Sequence, residues 1–152
     1  MSSPGLSRSA RRPVLAALPL SACLAVAVAM TRFLADGVYT KEQAERGQGF
    51  YDVTCASCHG PKLEGGSAVP LAGDQFTLSW SRPNLTLDDL YYIVRKTMPK
   101  DEPGSLTREK YSDIVAYMLQ QNGFPPGERE LTPDPAVLKT VRFGSPAPPP
   151  QR

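Results

Sequence analysis

Cys55, Cys58 and His59 stand in the run Cys55-Ala56-Ser57-Cys58-His59, two thiols separated by two residues and followed at once by an imidazole. On about one turn of helix this spacing lets both thiols reach the two vinyl groups of a single haem as thioethers, and it swings the imidazole beneath the iron. The expectation is haem c, one per chain, covalently attached through Cys55 and Cys58, with His59 as the proximal ligand. Competing chemistry is poorly served. A structural zinc site takes four ligands, whereas the only other cysteine is Cys23 and His59 is the only histidine. A redox dithiol of the thioredoxin kind sits in a strand-helix-strand setting that does not surround these residues.

A second axial ligand separates an electron carrier from an open-iron haem enzyme or gas sensor. With no second histidine, methionine is the remaining soft donor. Met1 and Met30 lie in the N-terminal segment, and Met118 falls on an apolar helical stripe where it reads as core. Met98 is left, at the exit of a helix in Thr97-Met98-Pro99. Thioether ligation raises the potential and closes the iron to substrates, so no catalytic residue is assigned and the chain is expected to carry electrons rather than act as an enzyme.

Three helices must position these groups, and each announces its start. Thr40 opens the first, with Gln43 completing a capping box and Ala44, Gly47 and Tyr51 on one face. Thr86 caps the second, with Asp88 and Asp89 in its first turn, Leu85 and Leu90 as a hydrophobic staple, and Pro99 forcing the exit after Thr97. Thr107 caps the third, whose stripe is Tyr111, Ile114, Val115, Met118 and Leu119, and Asn122-Gly123 ends it. Between Gly60 and Pro83 the chain reads as an ordered loop carrying Leu63, Val69, Leu71, Phe76 and Trp80 inward. Thr132-Pro133 could open a short helix reaching about Val141, and no strand pair is expected. The fold class is all-α, a small cytochrome c fold with three main helices wrapped around one haem. A body this small needs such a cofactor as its core.

The ends read differently. Arg8, Arg11 and Arg12 precede an apolar run from Val14 to Met30, the pattern of a signal peptide or N-terminal membrane anchor over residues 1–35. Ala27-Val28-Ala29 and Phe33-Leu34-Ala35 resemble cleavage sites. Leu20-Ser21-Ala22-Cys23 resembles a lipobox, and an uncleaved anchor is a third outcome. Cleavage is favoured because the apolar run continues past Cys23. Arg11-Arg12 suggests the twin-arginine route, which is discounted because that route exports folded proteins. Residues 36–123 are assigned to the haem domain, 124–143 to a C-terminal extension and 144–152 to a disordered proline-rich tail. The whole chain carries 17 basic and 15 acidic residues, but four of the basic ones precede residue 36. The remainder is 13 basic against 15 acidic, which argues against nucleic-acid binding.

From about Gly37 to Val141 the chain resembles class I c-type cytochrome domains related to the cbb3-oxidase subunit III cytochrome and to those attached to quinoprotein dehydrogenases. The residues that carry the likeness are Tyr39 to Tyr51, the Cys55 to Gly60 run, Leu63-Glu64-Gly65-Gly66, Pro70-Leu71-Ala72-Gly73, Thr97-Met98-Pro99 and Tyr111 to Tyr117. The resemblance implies that the Pro70 carbonyl accepts the His59 Nδ1 proton, that Leu71 packs on the haem, and that Trp80 either reaches a propionate or simply fills core. It also implies that the first and last helices cross near Gly47, Tyr51 and Tyr117. The segment after Gly123 is not part of the minimal domain. The function implied is a periplasmic mono-haem cytochrome passing single electrons from a quinoprotein-type dehydrogenase toward a terminal oxidase or another cytochrome, free, membrane-tethered, or as a fixed subunit of such a complex. Its partners would dock near Cys55, Val69 and Pro99, with Lys62, Arg95, Lys96 and Lys100 as steering charges.

Overall fold

The structure, a computed structural model, describes residues 31–144. The apolar run from Val14, Cys23, the cleavage pattern at Ala27-Val28-Ala29 and the tail from residue 145 lie outside the described residues. Among the described residues no helix is long and apolar enough to cross a membrane.

The expected helices form with nearly the expected ends. Helix α1 spans Lys41–Thr54, and Thr40 Oγ1 accepts a hydrogen bond from the Gln43 amide at 3.2 Å. The short α2, Ala56–His59, carries the thiol-imidazole run. Helix α3, Asp74–Trp80, lies inside the stretch expected to be loop. Its Ser, Thr and Trp residues are indifferent helix formers, and tertiary contact supplies what propensity does not: Asn122 Oδ1 accepts the Gly73 amide at its entrance, 3.0 Å away. Helix α4 spans Leu87–Thr97. The Asp89 carboxylate accepts from both the amide and the hydroxyl of Thr86, each at 2.7 Å, which satisfies the cap and places negative charge at the positive end of the helix dipole. Helix α5 spans Arg108–Gln121, capped by Thr107 Oγ1 on the Lys110 amide at 3.3 Å.

Helices α1 and α5 cross where Gly47 meets the backbone of Asp113. A Cβ at Gly47 would fall 1.8 Å from the Asp113 carbonyl oxygen, so no side chain is tolerated at the crossing. One turn on, the rings of Tyr51 and Tyr117 pack with centroids 5.4 Å apart. Arg46 grips Asp113 with two hydrogen bonds of 3.2 Å and reaches Glu130 at 2.8 Å. The apolar stripe expected on α5 understates its burial: every residue from Tyr111 to Leu119 is buried. Helix α5 packs against both α1 and α4, and Arg108 at its start reaches the Pro133 carbonyl of the C-terminal extension at 2.6 Å.

That extension is part of the body. Gln43 is buried and does not complete a capping box. Its side-chain amide instead exchanges two hydrogen bonds with the Leu131 backbone, 2.9 Å from Nε2 to the carbonyl and 2.7 Å from the amide to Oε1. Tyr39 Oη donates to the Phe124 carbonyl at 2.5 Å, and the Gly127 amide to the Tyr39 carbonyl at 2.6 Å. Gly37, at φ +70°, lies so close to Gly127 that a Cβ on it would come within 2.7 Å of the Gly127 Cα. Helix α6 is shorter than expected, Pro135–Leu138, and its cap is Asp134.

A strand pair is present, against expectation: β1, Arg32–Phe33, runs parallel to β2, Val141–Arg142. Two-residue strands leave no alternation to read; they exist because the packing between them brings Arg32 and Val141 together. Leu34 is fully buried. A boundary drawn after residue 35 therefore cuts through folded structure, and a cut at Phe33-Leu34-Ala35 would remove β1.

Candidate haem site

Helix α1 stops at Cys55, whose amide still reaches the Tyr51 carbonyl at 2.8 Å. The His59 amide then closes on the Cys55 carbonyl at 3.0 Å, so the two thiols and the imidazole share one turn, as their spacing predicts. Tyr51 Oη, from α1, donates to the Gly60 carbonyl at 2.7 Å. The following loop folds back on this turn: the Gly65 amide donates to the His59 carbonyl at 2.7 Å, and the Ala68 amide to the Cys58 carbonyl at 3.0 Å.

The turn forms part of the wall of a cavity of about 490 Å³, within the ~300–1,000 Å³ range of small-molecule and cofactor sites. All seven residues singled out in the sequence line it: Cys55, Cys58, His59, Pro70, Leu71, Trp80 and Met98. Leu90, Val94, Ile114 and Phe76 make the rest of the lining largely apolar. Met118, read as core, lines the cavity as well. Val69 also lines it but is 63% exposed, so it sits at the mouth rather than turning inward.

His59 is buried, and its Nδ1 lies 2.7 Å from the Val69 carbonyl. A carbonyl oxygen only accepts, so Nδ1 is the donor, and in the neutral ring the lone pair is then on Nε2. The acceptor is thus the carbonyl one residue before Pro70, correcting the expectation from the resemblance. The residue preceding a proline is held extended, and here it is the Val69–Pro70 peptide that presents its oxygen to the ring. The consequence for a ligating imidazole is the same: tautomer and orientation are set.

Three side chains that sequence reasoning passed over hold the walls. Asn122 Nδ2 donates to the Leu71 carbonyl at 3.0 Å and to that of Met118 at 2.8 Å. Tyr111 Oη donates to the Met98 carbonyl at 2.6 Å. Phe143 stacks behind Trp80, centroids 5.6 Å apart, and also meets Phe76 and Phe124. The available signal was that a buried tyrosine hydroxyl needs a partner; which partner is a tertiary fact.

Burial pushes the Cys55 thiol up to about 11, so it stays protonated at neutral pH. Of the four expected steering charges, Lys100 lines the cavity, and Asp101 lines it beside Lys100.

Among the described residues no three His, Cys, Asp or Glu side chains gather to cage a bare metal ion. One imidazole and one thioether line the cavity as two donors able to bind a haem iron, and the two cysteines that line it with them could anchor such a group covalently. An apolar cavity with these donors fits a haem, which brings its own equatorial ligands.

Residues 42–118 match the family model described as cytochrome c oxidase, cbb3-type, subunit III. Among solved structures, a chain of the sulfane dehydrogenase SoxCD from Paracoccus pantotrophus is similar at 26% sequence identity, with a TM-score of 0.52. The match covers 76% of this chain and 62% of that chain. No curated protein sequence matches.

Proposed function

Because the chain belongs to the cbb3-type cytochrome c oxidase subunit III family, with its small all-α cytochrome c fold and implied covalent haem c, we propose that it is an exported mono-haem electron carrier. When bound, the haem supplies a reversible one-electron couple at its iron. Cys55 and Cys58 would hold it covalently, and His59 Nε2 and the Met98 thioether would bind the iron. The observation that carries this reading is the His59 Nδ1 bond to the Val69 carbonyl, which orients the ring of a residue lining the same cavity as Met98 and makes Nε2 the lone-pair nitrogen of the neutral imidazole.

The residues around the cavity do the rest. Leu71, Ile114 and Met118 exclude water. Asn122 keeps the Leu71 loop in place. With His59 and Met98 both bound to it, the iron would be closed to substrates, and the chain would perform no bond chemistry of its own. Val69 at the mouth gives a partner protein an apolar contact, and Lys100, with Lys62, Arg95 and Lys96 farther out, supplies charges that steer a weak, fast encounter. The donor is proposed to be a quinoprotein-type or other periplasmic dehydrogenase, and the acceptor a terminal oxidase or another cytochrome.

A second arrangement, a fixed subunit of a dehydrogenase complex, is favoured by the likeness to a chain of a sulfane dehydrogenase. Co-purification with a dehydrogenase that survives high salt would select it over the free carrier.

The test is a visible spectrum of the purified protein with a pyridine haemochrome assay, before and after acidified acetone. Pigment that stays with the polypeptide, one haem per chain, supports the proposal. Colourless protein, pigment extracted by the acetone, or rapid tight binding of carbon monoxide by the reduced form would sink it.

A further inference from the structure

The segment that leaves α4 folds mainly on itself. The Glu102 amide donates to the Pro99 carbonyl at 3.1 Å, the Ser105 amide to the Glu102 carbonyl at 3.2 Å, and the Gly104 amide returns to the Met98 carbonyl at 3.2 Å. At its start the Met98 amide still bonds the Val94 carbonyl at 3.0 Å. Met98 is therefore at the root of a small loop, Met98 to Leu106, whose far end is α5. Among the described residues, one side chain of α5 reaches both ends of this loop: Tyr111 Oη donates to the Met98 carbonyl at 2.6 Å and accepts the Leu106 amide at 3.4 Å. Tyr111 is 1% exposed, so water does not compete for its hydroxyl.

The geometry points to Tyr111 as a latch that holds the Met98 loop shut, a positioning residue which acts on the cavity through the Met98 backbone. The inference rests on Met98 as the second iron ligand. A methionine thioether is a neutral donor, and a chain segment that can swing away carries its sulfur with it. The Met98 backbone, held through its amide by α4 and through its carbonyl by Gly104 and Tyr111, resists that swing. Of these three restraints, only the Tyr111 bond ties the loop to a different helix. Losing a buried hydrogen bond raises the open population by roughly tenfold, and an incoming ligand that needs the open state binds correspondingly tighter.

The closing experiment uses the oxidised holoprotein and imidazole as the incoming ligand, with two matched substitutions. Tyr111→Phe keeps the ring and removes the latch. Tyr91→Phe removes a comparable hydroxyl, which donates to the Arg108 carbonyl at 3.1 Å and makes no hydrogen bond to Met98 or its loop. Tyr111→Phe is expected to bind imidazole about tenfold more tightly than the unaltered protein, with Tyr91→Phe unchanged. Equal affinities in all three forms, or equal gains in both variants, would overturn the latch while leaving Met98 a ligand. If the unaltered protein already binds imidazole as tightly as Met98→Ala does, Met98 is not a ligand and the latch falls with that reading. A measurement independent of any variant is hydrogen exchange in the unaltered holoprotein. Saturating imidazole should lower protection of the Gly104 and Leu106 amides, and unchanged protection there overturns the proposal.

Discussion

The carboxamide of Gln43 and the backbone of Leu131 satisfy each other completely: 88 residues apart in the chain, they exchange a donor and an acceptor inside the protein. Gln43→Ala strips both partners from a buried peptide, and each orphaned group costs about 1–3 kcal/mol. Denaturant unfolding should show a loss of about 2–6 kcal/mol. A loss below about 0.5 kcal/mol, the range of ordinary surface substitutions, would mean the extension is not docked as described.

Gly47 and Gly49 sit two residues apart on α1 and should respond oppositely to alanine. At Gly47 the added methyl strikes the Asp113 backbone, and at Gly49 it meets nothing within 4 Å. Gly49→Ala should stabilise by about 0.5–1 kcal/mol through helix propensity. Gly47→Ala must push α1 and α5 apart and should cost about 3 kcal/mol or more. Thermal melts of the two variants, side by side, check both signs.

Tyr39 makes stability fall in alkali. Burial raises its hydroxyl from 10.0 to about 12, so between those values the unfolded chain has lost a proton that the folded one keeps. Its contribution is fully present below pH 10 and declines as pH rises toward 12, at about 1.4 kcal/mol per pH unit. Tyr39→Phe should flatten that part of the stability profile while costing about 1 kcal/mol at neutral pH through the lost bond to Phe124. An unchanged alkaline slope in the variant would assign the decline to other tyrosines.

Phe143, the residue after the two-residue β2, backs the Trp80 wall of the cavity. Phe143→Ala should destabilise by about 3–5 kcal/mol, and unfolding monitored by far-ultraviolet dichroism reads it directly. A cost under about 1 kcal/mol would mean the Trp80 wall stands without the extension.

Met98→Ala should lower the midpoint potential, since a thioether ligand favours the ferrous state, and should admit carbon monoxide to the reduced protein. Potentiometric titration decides: an unchanged potential means that another side chain, Met118 being the one also on the cavity wall, holds that position.

Much of this protein is written locally. The thiol-imidazole turn needs only its own five residues, and the starts of α1, α4 and α5 follow from Thr40, Thr86 and Thr107 because a cap is a contact over three residues. The end of α4 follows from Pro99 in the same way. Of the seven expected site residues, Cys55, Cys58, His59 and Met98 lie on, or beside, elements whose limits were legible, whereas Pro70 and Leu71 lie in the loop and Trp80 on the unexpected α3.

What only the tertiary structure decided are contacts between residues far apart in sequence. Helix α3 has weak propensity and forms against Asn122. The histidine's acceptor is Val69 rather than its neighbour because the path of a loop, not a residue type, chooses the oxygen. The body extends to Arg32 at one end and Phe143 at the other because Gln43, Tyr39 and Gly37 find Leu131, Phe124 and Gly127 across the core, and β1 finds β2. Period and capping report a residue's near neighbours along the chain; hydrogen bonds and ring stacks that close across the core depend on how the whole chain is packed, and no short window of sequence contains both partners.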